Sequence, residues 1–371
     1  MTPVDVVLVA YPDPFRLLEA KALVESVTGW RVAKTFTQKY LNHSTYGMGS
    51  GKADELAEYL KHEAQGVKNV VVDEHLTSKQ IFNLEKLLEV KVIDRERLIL
   101  DIFYSRATTN EAKLQIQLAE VKYEMPRVRE IAKMSTGTER AGKGGSGEYV
   151  VDVKFRDLKR RMEFIKAKLE EAKHKRDLYQ QQRTKSGMYV VSLVGYTSAG
   201  KTTLFNLLTM EQKQTAASLF TTLSTVTRTL RKDADDVERE GDNSHNMPKI
   251  LVTDTVGFIS RLPTYMIDAF KSTLEESLQA DLILLLVDLS EELEDIRVKF
   301  LSCWDILREL KVDSDKVQVV LSKYDQSDDQ KIDLLTSDLQ LKSPVVVISA
   351  KTGYGIRKLR TMMRQHARAS K

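Results

Sequence analysis

The residues best suited to chemistry on a phosphate are Gly195-Tyr196-Thr197-Ser198-Ala199-Gly200-Lys201-Thr202, continuing into Thr203. An apolar, β-branched run from Tyr189 to Val194 precedes them and Leu204-Phe205-Asn206-Leu207-Leu208 follows, which predicts strand, glycine-bounded turn and helix. Glycine at 195 and 200 permits backbone angles and close approaches that a Cβ obstructs. The N–H groups of such a turn, with the helix N-terminus behind them, present partial positive charge to phosphate oxygens. Lys201 is then placed to reach the β- and γ-phosphates, and the Thr202 hydroxyl to hold Mg2+. The competing reading is a glycine turn before an ordinary helix; the strand and helix on either side favour the phosphate loop.

Three further short motifs stand at the ends of apolar runs. The run Lys249 to Thr253 leads into Asp254-Thr255-Val256-Gly257, where Asp254 can orient Mg2+ through water and the Gly257 N–H can bond a γ-phosphate. The run Val317 to Leu321 ends in Ser322-Lys323-Tyr324-Asp325, and the run Pro344 to Ile348 in Ser349-Ala350-Lys351. The last two resemble the guanine-reading motifs of GTPases, Asn-Lys-x-Asp and Ser-Ala-Lys. A carboxylate at Asp325 accepts both guanine N1–H and N2–H2, whereas adenine offers no such pair of donors, which argues against an ATPase on the same fold.

The elements that must hold these loops alternate along most of the chain, whose 371 residues suffice for two or three domains. Strands at Asp5–Ala10, Trp30–Phe36, Asn69–Asp73 and Val90–Asp94, with helices at Phe15–Val27, Ala53–Lys61 and Ser78–Leu88 between them, predict a parallel α/β domain over residues 1–108. Its loop Tyr46-Gly47-Met48-Gly49-Ser50-Gly51-Lys52 is glycine-rich but lacks the Walker spacing, leaving a phosphate cradle and a plain surface loop both open. Residues 109–186 change character. Charge-rich helical stretches at Glu111–Ala119 and Phe155–Gln182 flank a glycine-rich loop, Gly137 to Gly147, and predict a long antiparallel helical hairpin. Its run Lys159-Arg160-Arg161 reads equally as a solvated face or as a contact for RNA. From residue 187 to 371 the alternation resumes, predicting a doubly wound, mostly parallel sheet and a basic C-terminal helix.

Composition narrows the class further. A formal net charge of +4 names no partner. The single cysteine, Cys303, excludes an intramolecular disulfide and fits a reducing compartment. Met1-Thr2-Pro3-Val4-Asp5 lacks the basic segment of a signal peptide, and the longest apolar run, Leu282 to Val287, is too short to span a bilayer. A cytosolic protein is expected.

Taken together, these motifs resemble those of the HflX-type GTPases, a translation-factor-related family with a hydrophobic substitution in the second switch. Gly195 to Asn206 resembles the family's phosphate loop, and Asp254-Thr255-Val256-Gly257-Phe258-Ile259 with Leu262-Pro263 its second switch. Phe220-Thr221-Thr222-Leu223-Ser224, then Thr227-Arg228, resembles its first switch, which implies Thr222 as the hydroxyl reaching Mg2+ and the γ-phosphate. Val90 to Arg95, Leu98 to Phe103 and Gly49-Ser50-Gly51-Lys52 match family stretches near the N-terminus. The resemblance implies GTP and GDP as ligands, with Lys201, Thr222 and Gly257 acting on the γ-phosphate. It also implies hydrolysis coupled to the ribosome, chiefly the rRNA-rich large subunit, with subunit splitting in some members. A nucleotide-gated RNA-binding or regulatory module is the alternative.

The chain also departs from the family. Ser198 and Ser322 replace Asn, Ser224-Thr225 replaces Asp-Pro, and Gly147-Glu148-Tyr149-Val150-Val151 replaces a Gly-Pro-Gly-Glu-Thr-Gln-Leu run. Ser322 lacks the amide that ties the base side to the phosphate loop, but a hydroxyl can replace part of that bonding, so a weakened rather than lost guanine preference is expected. Ser198 lacks the amide that potassium-using GTPases supply from that position, so little potassium stimulation is expected. Phe258 stands where many GTPases carry the water-orienting Gln, so slow intrinsic turnover is expected.

Overall fold

The computed structural model describes residues 3–136, 146–185, 187–211, 220, 225–231, 248–269, 279–341 and 345–370. The chain divides into two compact units, Met1–Glu170 and Glu171–Lys371.

The first unit begins with the expected alternation: β1 (Val4–Ala10), α1 (Pro14–Glu25), β2 (Trp30–Thr37), α2 (Ser50–His62), β3 (Asn69–Val72), α3 (Ser78–Leu88), β4 (Lys91–Asp94) and α4 (Arg95–Arg106). All pairings are parallel, in the order β2-β1-β3-β4. Local chemistry sets the helix starts. Asp13 accepts from Arg16 N–H before Pro14, and Thr77 and Gln80 form a reciprocal capping box on α3. Val6 to Ala10 are fully buried, which explains why β1 reads as continuous apolar sequence rather than alternation.

Two long helices complete this unit: α5 (Asn110–Thr136) and α6 (Ser146–Lys185), the latter running on past the unit boundary at Glu170. Leu118, Val121 and Val128 of α5 pack with Leu158 and Ile165 of α6. Val151 and Phe155 join the same cluster, so α6 starts well before Phe155; packing outweighs the modest helix propensity of Val150-Val151. The hairpin tip, 137–145, lies outside the described residues. Helix α5 is bonded to the α/β layers through Asp94: Tyr123 Oη donates to Asp94 Oδ1 at 2.9 Å and Arg127 to Asp94 Oδ2 at 2.7 Å. That carboxylate also caps α4 by accepting from Arg97 N–H. Burial pushes the Asp94 carboxyl above its usual range while Arg127 pulls it back.

The second unit is built on a six-stranded sheet of order β10-β9-β8-β5-β7-β6. Its strands are β5 (Tyr189–Gly195), β6 (Val226–Thr229), β7 (Ile250–Asp254), β8 (Leu282–Asp288), β9 (Val317–Ser322) and β10 (Val346–Val347). Among the described strands only β6, at the edge, runs antiparallel, against β7. Helices α7 (Lys201–Thr209), α8 (Leu293–Glu309), α9 (Asp329–Asp338) and α10 (Ile356–Ala369) follow α6 in this unit, and residues 264–269 are also helical. Every residue of β7 and β8 is buried, as central strands covered on both faces require. Helix α10 inserts Ile356, Leu359, Met363 and Ala367 into the core shared with β5 and β8, leaving Arg357, Lys358 and Arg368 exposed. The chain passes from β5 toward β7 and β6 on one side, then returns to β8 on the other. Strand order therefore reverses beside β5, the place where open α/β sheets leave a crevice for ligands. Among the described residues no helix is long and apolar enough to cross a membrane.

Candidate nucleotide site

The turn from β5 into α7 occupies that crevice. Gly195 sits at φ 151°, and a Cβ there would meet Leu286 O at 2.5 Å, so only glycine fits against β8. Gly200 caps α7 at φ 88°. Ser198, exposed at the tip, holds a left-handed φ of 65°, a conformation that Asn tolerates better than Ser. Thr203 is exposed on the first turn of α7, while Ala199 is buried beneath the loop.

Lys201 is 6% exposed and folded back onto its own loop, donating to Tyr196 O at 2.7 Å and to Gly195 O at 3.0 Å. Burial lowers its pKa to about 8, with Asp254 acting in the opposite sense. Thr202 Oγ1 donates to Asp254 Oδ2 at 3.2 Å, and both groups are buried. A hydroxyl and a carboxylate converging at the end of the phosphate loop are the hard oxygen donors that Mg2+ takes. The residues present therefore fit the ion.

The second switch leaves β7 directly against this loop. Thr255 Oγ1 donates to Leu193 O at 2.7 Å, and Val256 is buried beside it. A Cβ on Gly257 would lie 2.8 Å from Thr197 Cγ2 and 3.0 Å from Lys201 Nζ, so a side chain there would be forced into the loop. Phe258 is 4% exposed, and its backbone pairs in parallel with Tyr196: Thr197 N–H donates to Phe258 O at 2.8 Å, and Phe258 N–H to Gly195 O at 3.0 Å. The ring is packed away and offers no polar atom for aligning water.

On the base side, Ser322 Oγ lies 2.9 Å from Ala199 O and 3.0 Å from Val287 O. The hydroxyl thus ties β9 to the phosphate loop, taking over part of the bonding an amide would supply. Lys323, at φ 58°, pairs with Asp288 at 2.5 Å. Asp325 Oδ1 accepts from Ser349 Oγ at 2.6 Å, and this hydroxyl holds the carboxyl below its usual range, with Lys351 adding to the effect. Ser349 Oγ in turn accepts from Thr352 N–H, closing the loop around Ala350 and Lys351. Tyr324 stacks on Tyr354 at 4.6 Å on the outer flank.

Of the first switch, Phe220 is described and buried, and Thr227 and Arg228 lie on β6. Thr221, Thr222, Leu223 and Ser224 lie outside the described residues. The structure therefore brings together 195–203, 254–257, 322–325 and 349–351 at the ends of β5, β7, β9 and β10. Sequence reasoning missed Asp288, which holds Lys323, and the side chain of Tyr196; neither carries a motif of its own. Cys303 lies 2% exposed beneath the loop, and burial pushes its thiol up to about 12, which removes it as a nucleophile.

Elsewhere, the N-terminal glycine loop has a packing role. Met48 is fully buried, Gly47 has no room for a Cβ beside Leu76, and Lys52 pairs with Glu55. His75, Asp94 and Glu96 also come together, but Asp94 is already engaged by Arg127 and Tyr123 and His75 by Glu96.

The chain is similar to known proteins along its length. The family described as "GTP-binding GTPase N-terminal" matches residues 15–104, "GTP-binding GTPase Middle Region" 106–183 and "50S ribosome-binding GTPase" 190–348. Among solved structures, a GTP-binding protein from the archaeon Sulfolobus solfataricus in complex with GDP is 25% identical, with a TM-score of 0.52 over 99% of this chain and 100% of that one. The SsGBP–GDP complex gives 25% identity and a TM-score of 0.55 over 99% of both chains. A GTPase HflX of Thermococcus kodakarensis is 40% identical over 80% of this chain and 64% of its own length. A GTPase HflX of Methanocaldococcus jannaschii is 38% identical over 95% of this chain and 83% of its own length. With such relatives aligned along most of its length, the chain belongs to the HflX family of GTPases.

Proposed function

We propose that this chain binds GTP, hydrolyses it to GDP and phosphate, and uses its nucleotide state to control association with the ribosome, chiefly through the rRNA of the large subunit. The observation that carries the nucleotide half is the convergence on one loop: Asp254 reaches Thr202 from β7 while Ser322 reaches Ala199 from β9. Family membership supports hydrolysis. The ribosome half is supported by the description of the family matching residues 190–348 and by the exposed run Lys159-Arg160-Arg161 on α6.

In this reading the loop N–H groups and Lys201 bind the phosphates, Asp325 and Ser349 select guanine, and the Gly257 N–H bonds the γ-phosphate. Thr202 would hold Mg2+ with Thr222, and Asp254 through water; the ion would supply positive charge that offsets the negative charge of the phosphates. Water attacks the γ-phosphorus as Lys201 balances the charge on the departing GDP. With Phe258 in place of a water-orienting amide, turnover by the protein alone falls around the ~10⁻⁴ to 10⁻² s⁻¹ typical of GTPases awaiting a further element. A cytosolic location belongs to the same reading and fits a single, buried cysteine.

Co-sedimentation with ribosomes in GTP, GDP and a non-hydrolysable analogue, alongside turnover with and without ribosomes, tests the proposal. The analogue is expected to retain the protein on the large subunit, and ribosomes to accelerate turnover. Nucleotide-independent binding without acceleration would leave the RNA-binding module as the better description. Equal competition by ATP would overturn the assignment of Asp325.

A further inference from the structure

Tyr196 lies inside the phosphate loop, yet its side chain faces away from where a phosphate would sit. It is 5% exposed. One face of the ring lies 5.1 Å from Lys299 Nζ of α8, which is itself paired with Glu291. The phenol oxygen accepts from Ser260 N–H at 2.6 Å. Ser260 lies two residues beyond Phe258 and is 7% exposed, so its N–H is bonded out of reach of bulk water.

These contacts reinforce the backbone pairing of Phe258 with Gly195 and Thr197. At least three hydrogen bonds thus fasten residues 258–260 to the loop, one through the Tyr196 side chain. While they hold, Gly257 remains packed on Thr197 and Lys201, and the Lys201 ammonium remains on Gly195 O and Tyr196 O. A diphosphate requires only that Lys201 swing outward. A triphosphate also requires room between Lys201 and Gly257, because both must reach oxygens of the same γ-phosphate. Lys201 swinging outward gives part of that room, and the second switch lifting from Thr197 gives the rest.

We propose that Tyr196 is the positioning residue of a latch: its hydroxyl, by accepting from Ser260 N–H, holds the second switch closed on the phosphate loop and so sets GTP affinity against GDP affinity. The inference rests on the nucleotide reading above. It assigns the hydroxyl no part in catalysis. Lys299 and Glu291 fix the ring, so α8 shares in setting the strength of the latch. The thermodynamics follow from population shift: a ligand that binds only the open state binds more weakly by the fraction of protein that is closed.

The test is Tyr196→Phe in the full chain. The ring and its packing under Lys299 remain, while the acceptor for Ser260 N–H is lost. Removing the acceptor of a buried donor penalises the closed state by a factor of roughly 5 to 100. Titrations with fluorescent GDP and a fluorescent non-hydrolysable GTP analogue are compared for both proteins. The variant is expected to bind the analogue about tenfold more tightly, with GDP affinity nearly unchanged. A structural role alone would shift both ligands together, and that result, or no shift in either, overturns the proposal. Failure of the underlying reading looks different, since the unmodified protein would then bind neither ligand. Tyr196→His, with ring nitrogens that do not reach the phenol oxygen's position, is expected to shift the ratio in the same direction; a shift the opposite way also overturns the latch.

Discussion

Lys201 is the residue on which the chemistry turns. Its replacement by Ala removes the only cation of the described phosphate loop and is expected to lower hydrolysis by at least about 100-fold, measured as single-turnover phosphate release. Its titration gives a second expectation. Burial holds the ammonium down to about 8 in the nucleotide-free protein, whereas bound phosphates favour the charged form. Binding therefore takes up a proton wherever the free lysine is already partly neutral, at and above about pH 8. Affinity should fall as pH rises through that region, and not below it. Calorimetry at pH 9 in two buffers of different ionisation heat reads the uptake; identical heats would show that Lys201 keeps its charge throughout. On the base side, Asp325 is oriented by Ser349 and accepts two donors from guanine only as a carboxylate. Asp325→Asn is expected to weaken GTP binding by roughly 5- to 150-fold and to admit xanthine nucleotides, whose carbonyl at position 2 accepts from the new amide. Unchanged GTP affinity in a competition assay would remove Asp325 from the site.

At the scale of elements, the second switch shows how a segment can be both packed and poised. Phe258 is buried against the loop, so Phe258→Ala should lower stability by about 3 kcal/mol or more through the cavity it leaves. The basal rate at saturating GTP should change little, because the ring presents no donor or acceptor. A collapse of that rate would give the ring a direct part in the reaction. Helix α6 supplies a different expectation. Lys159, Arg160 and Arg161 are all exposed, one turn beside the Leu158 contact with α5. Replacing all three by Glu should reduce ribosome co-sedimentation and flatten its salt dependence, since phosphate contacts release counterions. Intrinsic hydrolysis should be unaffected. Survival of co-sedimentation would make the run a solvated helix face.

At the scale of the whole molecule, each unit has its own apolar core. One is gathered around Val7, Val70 and Leu84, the other around Val191, Leu284 and Leu359. The nucleotide motifs all belong to the second unit, Glu171–Lys371. Scanning calorimetry should therefore show GDP at 100 times its Kd stabilising one transition by about 2.7 kcal/mol and leaving the other in place. A single transition moving as a whole would show that the units unfold cooperatively.

The phosphate loop, Asp254-Thr255-Val256-Gly257 and Asp325 were legible in the sequence because their signals are local: turn chemistry directly at the end of a strand. The same holds for β1 to β5, whose apolar runs and capping residues mark their own boundaries. What tertiary structure decided depends on segments far apart in the chain. That a Ser322 hydroxyl could stand in for part of an amide is readable in the sequence, but its partner, Ala199, 123 residues away, is fixed only when β9 is set beside the loop. Tyr196 reads in the sequence only as one residue of the phosphate loop; the role of its side chain shows once Ser260, 64 residues on, is seen to donate to it. Strand β6, only four residues long, turns antiparallel at the sheet edge, where pairing with β7 rather than its own apolar pattern defines it. Helical period predicted the hairpin's two helices, but not that Asp94 binds Tyr123 and Arg127 and so fastens α5 to the α/β layers. Local propensity marks where elements begin and end; which polar groups find one another is settled only when packing excludes water from the rest.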